Sequence, residues 1–132
     1  NLFVAGFIGS PKMNFIPAQY KSSSGGSTEV EALGTNLILP KKTTSQSDEK
    51  VTFGIRPEDI HITAESDHDW ESKAFVVEKL GSNTFIYLEH DNEPVVVEAP
   101  GDSPVKVGDT IKVKFDLDRS NLFNSQNTNI IG

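Results

Sequence analysis

Val51-Thr52-Phe53-Gly54-Ile55-Arg56-Pro57-Glu58-Asp59-Ile60 decides the class of the fold. Val51, Phe53 and Ile55 alternate with Thr52, Gly54 and Arg56, and a period of two is that of a strand burying one face. Pro57 has a preset φ and no amide hydrogen, and it keeps Arg56 extended. The stretch reads as strand, corner, strand, because alternation resumes at Ile60 and Ile62 against His61 and Thr63.

The same period runs on downstream. Phe75 and Val77 face opposite to Ala74 and Val76. Phe85 and Tyr87 alternate with Ile86 and Leu88, all apolar in body, so this strand is expected to be buried on both faces. Pro94 to Ala99 carries three successive valines, and Ile111, Val113, Phe115 and Leu117 alternate with Lys112, Lys114 and Asp116. Turn signals punctuate them at Gly81-Ser82-Asn83, Asp91-Asn92, Pro100-Gly101-Asp102 and Gly108-Asp109. Upstream, Phe15 and Ile16 open a strand toward Tyr20, and Val30 to Leu33 and Asn36 to Leu39 form two more around Gly34. Lys21 to Thr28, rich in Ser and Gly, is expected as a long mobile hairpin loop, and Lys41 to Lys50 as another. In Asn1 to Gly9, Phe3 with Phe7 and Val4 with Ile8 stand four apart, the spacing of a short helix that Gly9-Ser10-Pro11 ends. It reads as the tail of a longer helix upstream, and the chain as a fragment or processed product. Many short strands with turns between them, and no long helical pattern, point to an all-β barrel or sandwich. Two barrel-like halves stay open as a possibility.

Composition narrows the functions. A chain of 132 residues, 36% hydrophobic, buries a core without help from disulfides, and it has no cysteine to form them. That absence removes thiol catalysis and Cys-ligated zinc. The net charge of −7, with Lys and Arg scattered, argues against nucleic acid and against anionic lipid. No apolar run approaches the roughly 20 residues that span a bilayer.

Few constellations point to chemistry. Neither G-x-x-x-x-G-K-[ST] nor G-x-G-x-x-G occurs, so the chain lacks a loop to cradle a triphosphate. His68 lies in Glu65-Ser66-Asp67-His68-Asp69, which resembles a metal cluster but lacks ligand spacing and reads as a solvated acidic loop. Gly81-Ser82-Asn83-Thr84 reads as a tight turn before an anion-binding nest. Trp70, the sole tryptophan, is either a half-buried edge residue or an interface anchor. Arg56 has two readings: part of a structural corner, or a bidentate partner for a carboxylate, locally or across an interface. The expectation is therefore no catalytic, cofactor-binding or metal residue, with Gly54, Arg56, Pro57, Glu58, Gly81 and Trp70 as candidate structural or interface positions.

These strings also carry a resemblance. Phe3 to Phe15, reading FVAGFIGSPKMNF, resembles the stretch that follows the nucleotide-binding domain in MalK-like ATPases of sugar ABC importers. Gly54-Ile55-Arg56-Pro57-Glu58 is similar to that family's G-I-R-P-E string, and Val77 to Thr84 to its V-x-x-L-G-x-x-T segment. Gly108-Asp109 and Asn121-Leu122-Phe123 fit its late positions, with Asn124 where the family usually has Asp. The resemblance implies a small OB-like, MOP-like β-barrel regulatory domain of the TOBE kind at 14–132. A short N-terminal helical tail at 1–13 would continue from an ATPase domain that this chain lacks. It implies a regulatory and dimerisation role without catalysis in this piece, and ATP and Mg in the full-length parent. Implied partners are a second copy, the permease subunits reached through the ATPase domain, and regulatory proteins. The implied place is the cytoplasmic face of the membrane. The alternative is a TOBE-like module that binds a small anion or other small ligand.

Overall fold

The computed structural model describes residues 12–44, 49–91 and 93–132. The helix expected before Gly9 lies outside them. Within them the strands are β1 (Asn14–Ser24), β2 (Ser27–Ala32), β3 (Thr35–Leu39), β4 (Lys50–Ile55), β5 (Ile60–Thr63), β6 (Trp70–Lys79), β7 (Asn83–Leu88), β8 (Val95–Pro100), β9 (Thr110–Phe115) and β10 (Asn121–Phe123). Short 3-10 turns occupy Pro57–Asp59 and Leu117–Arg119. The class is all-β, as the alternation requires. Contacts divide the chain into two compact units, one built on Arg56–Lys114 with the chain up to Asn14, the other on Phe15–Ile55 with Phe115–Gly132.

The second unit holds a five-stranded sheet in the order β10-β4-β1-β2-β3. Its two hairpins turn on pairs of residues with positive φ: Gly25 at +57° and Gly26 at +89°, then Leu33 at +57° and Gly34 at +74°. Two successive left-handed residues match the right-handed twist of the strands they join. This corrects the expected loop at Lys21 to Thr28. The chain stays extended to Ser24 and resumes at Ser27, with Ser22 opposite Glu29 and Ser23 opposite Thr28. A hairpin tip exposed on both faces needs no apolar alternation, so the period-two signal is silent there although the ladder continues beyond an irregularity between Tyr20 and Ser22.

Inward side chains of this unit include Ile16, Val30, Leu37, Leu39, Phe53, Ile55, Leu122 and Ile130, each at most 2% exposed. Phe53 meets Phe115 edge to face at 5.7 Å. Burying one such ring is worth about 2–3 kcal/mol, which ranks it above any single surface ion pair. The two ends of the sheet are joined by chain that follows them. Thr43 bridges Ile131, and Asn129 bridges Phe123. The N–H of Ile130 donates to the Leu122 carbonyl at 2.8 Å, that of Thr44 to Ile130 at 2.6 Å and that of Gly132 to Lys42 at 3.0 Å. Fully buried Thr28 supports the seam, its hydroxyl donating to the Lys41 carbonyl at 2.9 Å and standing 2.7 Å from the Thr43 hydroxyl. The sheet thereby rolls into a barrel.

The first unit holds the order β5-β9-β6-β7-β8. Phe85, Ile86, Tyr87 and Leu88 are all buried, so β7 is covered on both faces as its composition demands. β6 carries an irregularity between Ala74 and Val76, which throws Phe75 outward. The end strands β5 and β8 lie close to each other, so this sheet also curls. One further correction concerns Leu117. The alternation from Ile111 suggests strand through it, yet β9 ends at Phe115 and Leu117 starts a 3-10 turn. Buried Ser120 closes that turn, its hydroxyl donating to the Leu117 carbonyl at 2.6 Å.

The turn from β6 to β7 packs on the end of β8 at van der Waals limit. Gly81 has φ +82°, and a Cβ added at Gly101 would stand 1.8 Å from the Gly81 carbonyl oxygen. Gly101→Ala therefore forces backbone apart and should cost about 3 kcal/mol or more. Leu33→Asn should act oppositely, relieving a branched residue at positive φ and adding about 0.5–1 kcal/mol. Urea unfolding of the two variants beside wild type measures both; equal midpoints for all three would contradict this description of the turns.

Candidate functional site

The corner after β4 is built by Pro57. Arg56 precedes it at φ −79°, ψ 151°, and the Ile60 N–H returns to the Pro57 carbonyl. The Asp59 N–H donates to the Arg56 carbonyl at 2.9 Å. Pro57 and Asp59 are buried, whereas Arg56 and Glu58 face out. The string thus forms a strand, a 3-10 turn and a second strand. No ion pair joins Arg56 to a described carboxylate, so its guanidinium is offered outward on a fixed support.

Glu58 acts through its charge on Glu98, which sequence reasoning missed. Its charge and, more strongly, burial push the Glu98 carboxyl above the usual carboxylate range. Asn83 Nδ2 donates to Glu98 Oε2 at 2.8 Å, which holds that carboxyl in place. Asn83 opens β7 two residues after Gly81, so Glu58 and the Gly81 turn approach the same part of β8. A lone Glu among valines in Val95–Pro100 was the one sequence signal for this contact. At Gly81 itself the tight turn prevails. The Ser82 N–H donates to the Leu80 carbonyl at 3.1 Å and the Gly101 N–H to Ser82 at 3.1 Å, so these amides are spent internally.

Trp70 stands apart, at the opposite end of β6, which at ten residues spans about 30 Å. It is half-buried, lies opposite Val113 and meets the His90 ring edge-on at 6.1 Å. The Glu89 N–H donates to the Lys73 carbonyl at 2.9 Å, and the Ser72 hydroxyl to the Glu89 carbonyl at 2.6 Å. These bonds bring the turn after β7 beside the start of β6. The acidic loop flanks the same end. Lys114 Nζ lies 2.9 Å from Asp67 Oδ2, and this hydrogen bond holds the Asp67 carboxyl below its ordinary range. His68 places Nδ1 3.2 Å from the Glu65 carbonyl and Nε2 3.1 Å from Glu71 Oε1. Among the described residues no three His, Cys, Asp or Glu side chains are grouped to hold a metal. The arrangement offers exposed charges and a corner fixed by proline.

Comparison with known proteins gives two successive family matches. Residues 9–60 match the MalK OB fold domain and residues 53–123 the TOBE domain. The alpha-glucoside transport ATP-binding protein AglK of Rhizobium meliloti is 40% identical over 126 residues, covering 92% of this chain and 34% of the relative. The maltose/maltodextrin import ATP-binding protein MalK of Vibrio cholerae is 36% identical over 129 residues, covering 95% and 35%. The oligosaccharides import ATP-binding protein MsmX of Bacillus subtilis is 36% identical over 136 residues, covering 96% and 36%. The chain thus spans about a third of the length of these relatives. Among solved structures, the cytoplasmic molybdate-binding protein ModG matches with a TM-score of 0.61 at 11% identity, covering 83% of this chain and 94% of that one. At that identity the likeness shows the fold alone.

The raised Glu98 carboxyl has a pH signature, set first by burial and then by the charge of Glu58. A carboxyl whose folded pKa is raised favours the folded state below its unfolded pKa, and that contribution is lost as pH rises through the folded value. Glu98→Gln removes the charge while keeping an acceptor for Asn83. Its melting temperature should exceed wild type at pH 7, and the gap should close by about pH 4. Thermal melts across that range check it; a gap that is absent at pH 7 or persists at pH 4 contradicts the assignment.

Proposed function

The chain belongs to the TOBE domain family, and from that premise we propose that it is the C-terminal regulatory part of a carbohydrate ABC importer's ATP-binding subunit. One observation carries the reading: relatives named as sugar transport or import ATP-binding proteins match nearly the whole chain, in one order, while it covers only a third of them. Residues 1–13 are the tail that continues from the ATPase part, and 14–132 are the regulatory domain. ATP and Mg belong to that other part, since the phosphate-cradling loop they require does not occur in this sequence. The subunit works at the cytoplasmic face of the membrane beneath its permease.

On this reading the domain does no chemistry. It holds two copies of the subunit together while their ATPase parts separate and close, which keeps the catalytic halves at high effective concentration. A regulatory protein bound to the domain would bias one state of the cycle by its differential affinity. Two surfaces suit such contacts. One is the outward Arg56 and Glu58 on the corner made by Gly54 and Pro57, with the Gly81 turn near it. The other is Trp70, whose large half-buried ring is the residue type that anchors interfaces.

The full-length subunit should hydrolyse ATP and sediment as a dimer at micromolar concentration. Trp70→Ala and Arg56→Ala should each weaken the dimer by roughly tenfold or more, and exposed Arg56→Ala should do so without lowering the melting temperature appreciably. Analytical ultracentrifugation over a concentration series decides it. A monomer at every concentration, or two variants indistinguishable from wild type, would remove the dimerisation role from these surfaces.

A further inference from the structure

β8 is the last strand of its sheet, so the backbone groups on its outer side have no ladder partner within that sheet. An open edge of this kind invites pairing with foreign chain, and folds cover it deliberately. At Val96 the cover is a side chain. The Val96 N–H donates to Asn14 Oδ1 at 2.8 Å, and Asn14 Nδ2 donates to the Val96 carbonyl at 3.0 Å. The primary amide presents donor and acceptor in one plane, as a neighbouring strand would, and meets both groups of one residue at once. Asn14 is only 7% exposed, and its partner is 82 positions away. Asp in its place keeps only the acceptor, and Ser or Thr has a single reach.

The place of this clamp in the chain matters more than its bonds. Asn14 is the first residue of β1, and the chain reaches it directly through Lys12 and Met13. Two bonds from one planar group fix orientation as well as position, as bidentate contacts do. A residue that merely plugged an edge could sit anywhere along β8. This one sits where the N-terminal chain enters.

We propose that Asn14 is a positioning residue that clamps the entering chain to the edge of β8, so that displacement arriving along residues 12 and 13 is delivered to that strand instead of being lost in a swivel at residue 14. The inference rests on the reading above, in which the ATPase part precedes this domain. A neutral swivel would leave nucleotide events upstream invisible to β8. With the clamp, β8 and the Glu98–Asn83 contact on it are the first places in the domain to respond.

Hydrogen exchange on the full-length subunit, with and without ATP, tests it. In wild type ATP should change amide exchange across Val95–Pro100. In Asn14→Ala the Val96 amide should exchange roughly tenfold faster without nucleotide, for loss of its acceptor, and the ATP-dependent change in β8 should disappear. The ATP hydrolysis rate should stay as in wild type. Asn14→Asp, which keeps the acceptor, should protect Val96 but loosen the clamp, and serves if the alanine variant folds poorly. Unaltered Val96 exchange in Asn14→Ala overturns the clamp. An ATP response in β8 that is absent from wild type, or survives in Asn14→Ala, overturns the transmission. Failure of the full-length chain to bind ATP at all would instead overturn the functional reading, and leaves the clamp to be judged by Val96 alone.

Discussion

Short strands cannot leave their edges open to water and neighbours, and this constraint shapes each half of the molecule. In the unit built from Phe15–Ile55 and Phe115–Gly132 the ends of the sheet are sewn together by backbone bonds among Lys42, Thr44, Leu122, Ile130 and Gly132. In the unit built on Arg56–Lys114 the sheet curls until β5 and β8 are near each other, and Asn14 covers the middle of β8 with its amide. No described helix longer than a 3-10 turn is present to shield an edge, so closure of the sheets is the available solution.

The two closures make rigid surfaces from a chain with ordinary hydrophobic content. On such a support Arg56 is held extended by Pro57, and Glu98 is kept by Asn83 near a like charge. The chain belongs to a family whose relatives are named for transport and import, and it spans about a third of their length.

Much of this was legible in the amino-acid pattern. Period-two alternation located β4, β7 and β9 because each has one or both faces in a core; at β5 only Ile60 is buried, and Ile62, which shares its parity, is exposed. The Gly54 to Glu58 string announced its corner because proline admits few backbones. What escaped has physical causes. The outer half of the first hairpin, Lys21 to Ser24 and Ser27, contributes little to a core, and buried Thr28 is held by hydroxyl hydrogen bonds, so no apolar trace is left and only the Gly25-Gly26 turn betrays it. Leu117 keeps the parity of β9, but parity cannot show that the strand ends at Phe115 and that Leu117 opens a 3-10 turn closed by the Ser120 hydroxyl. Glu98, Asn14 and Gly101 matter through partners 15 to 82 positions away, or through a carbonyl at contact distance, and spacing along the chain holds no record of these.

Closure is the claim on which the docking account stands, and amide exchange along the seam tests it most directly. The account requires the N–H groups of Thr44, Ile130 and Gly132 to be protected to the same order as those in the centre of β2 and β4, because a barrel opens only as a whole. If these three exchange as fast as free peptide while Val30 and Phe53 stay protected, the sheet is an open one with a loose tail, and the rigid support argued for it does not exist.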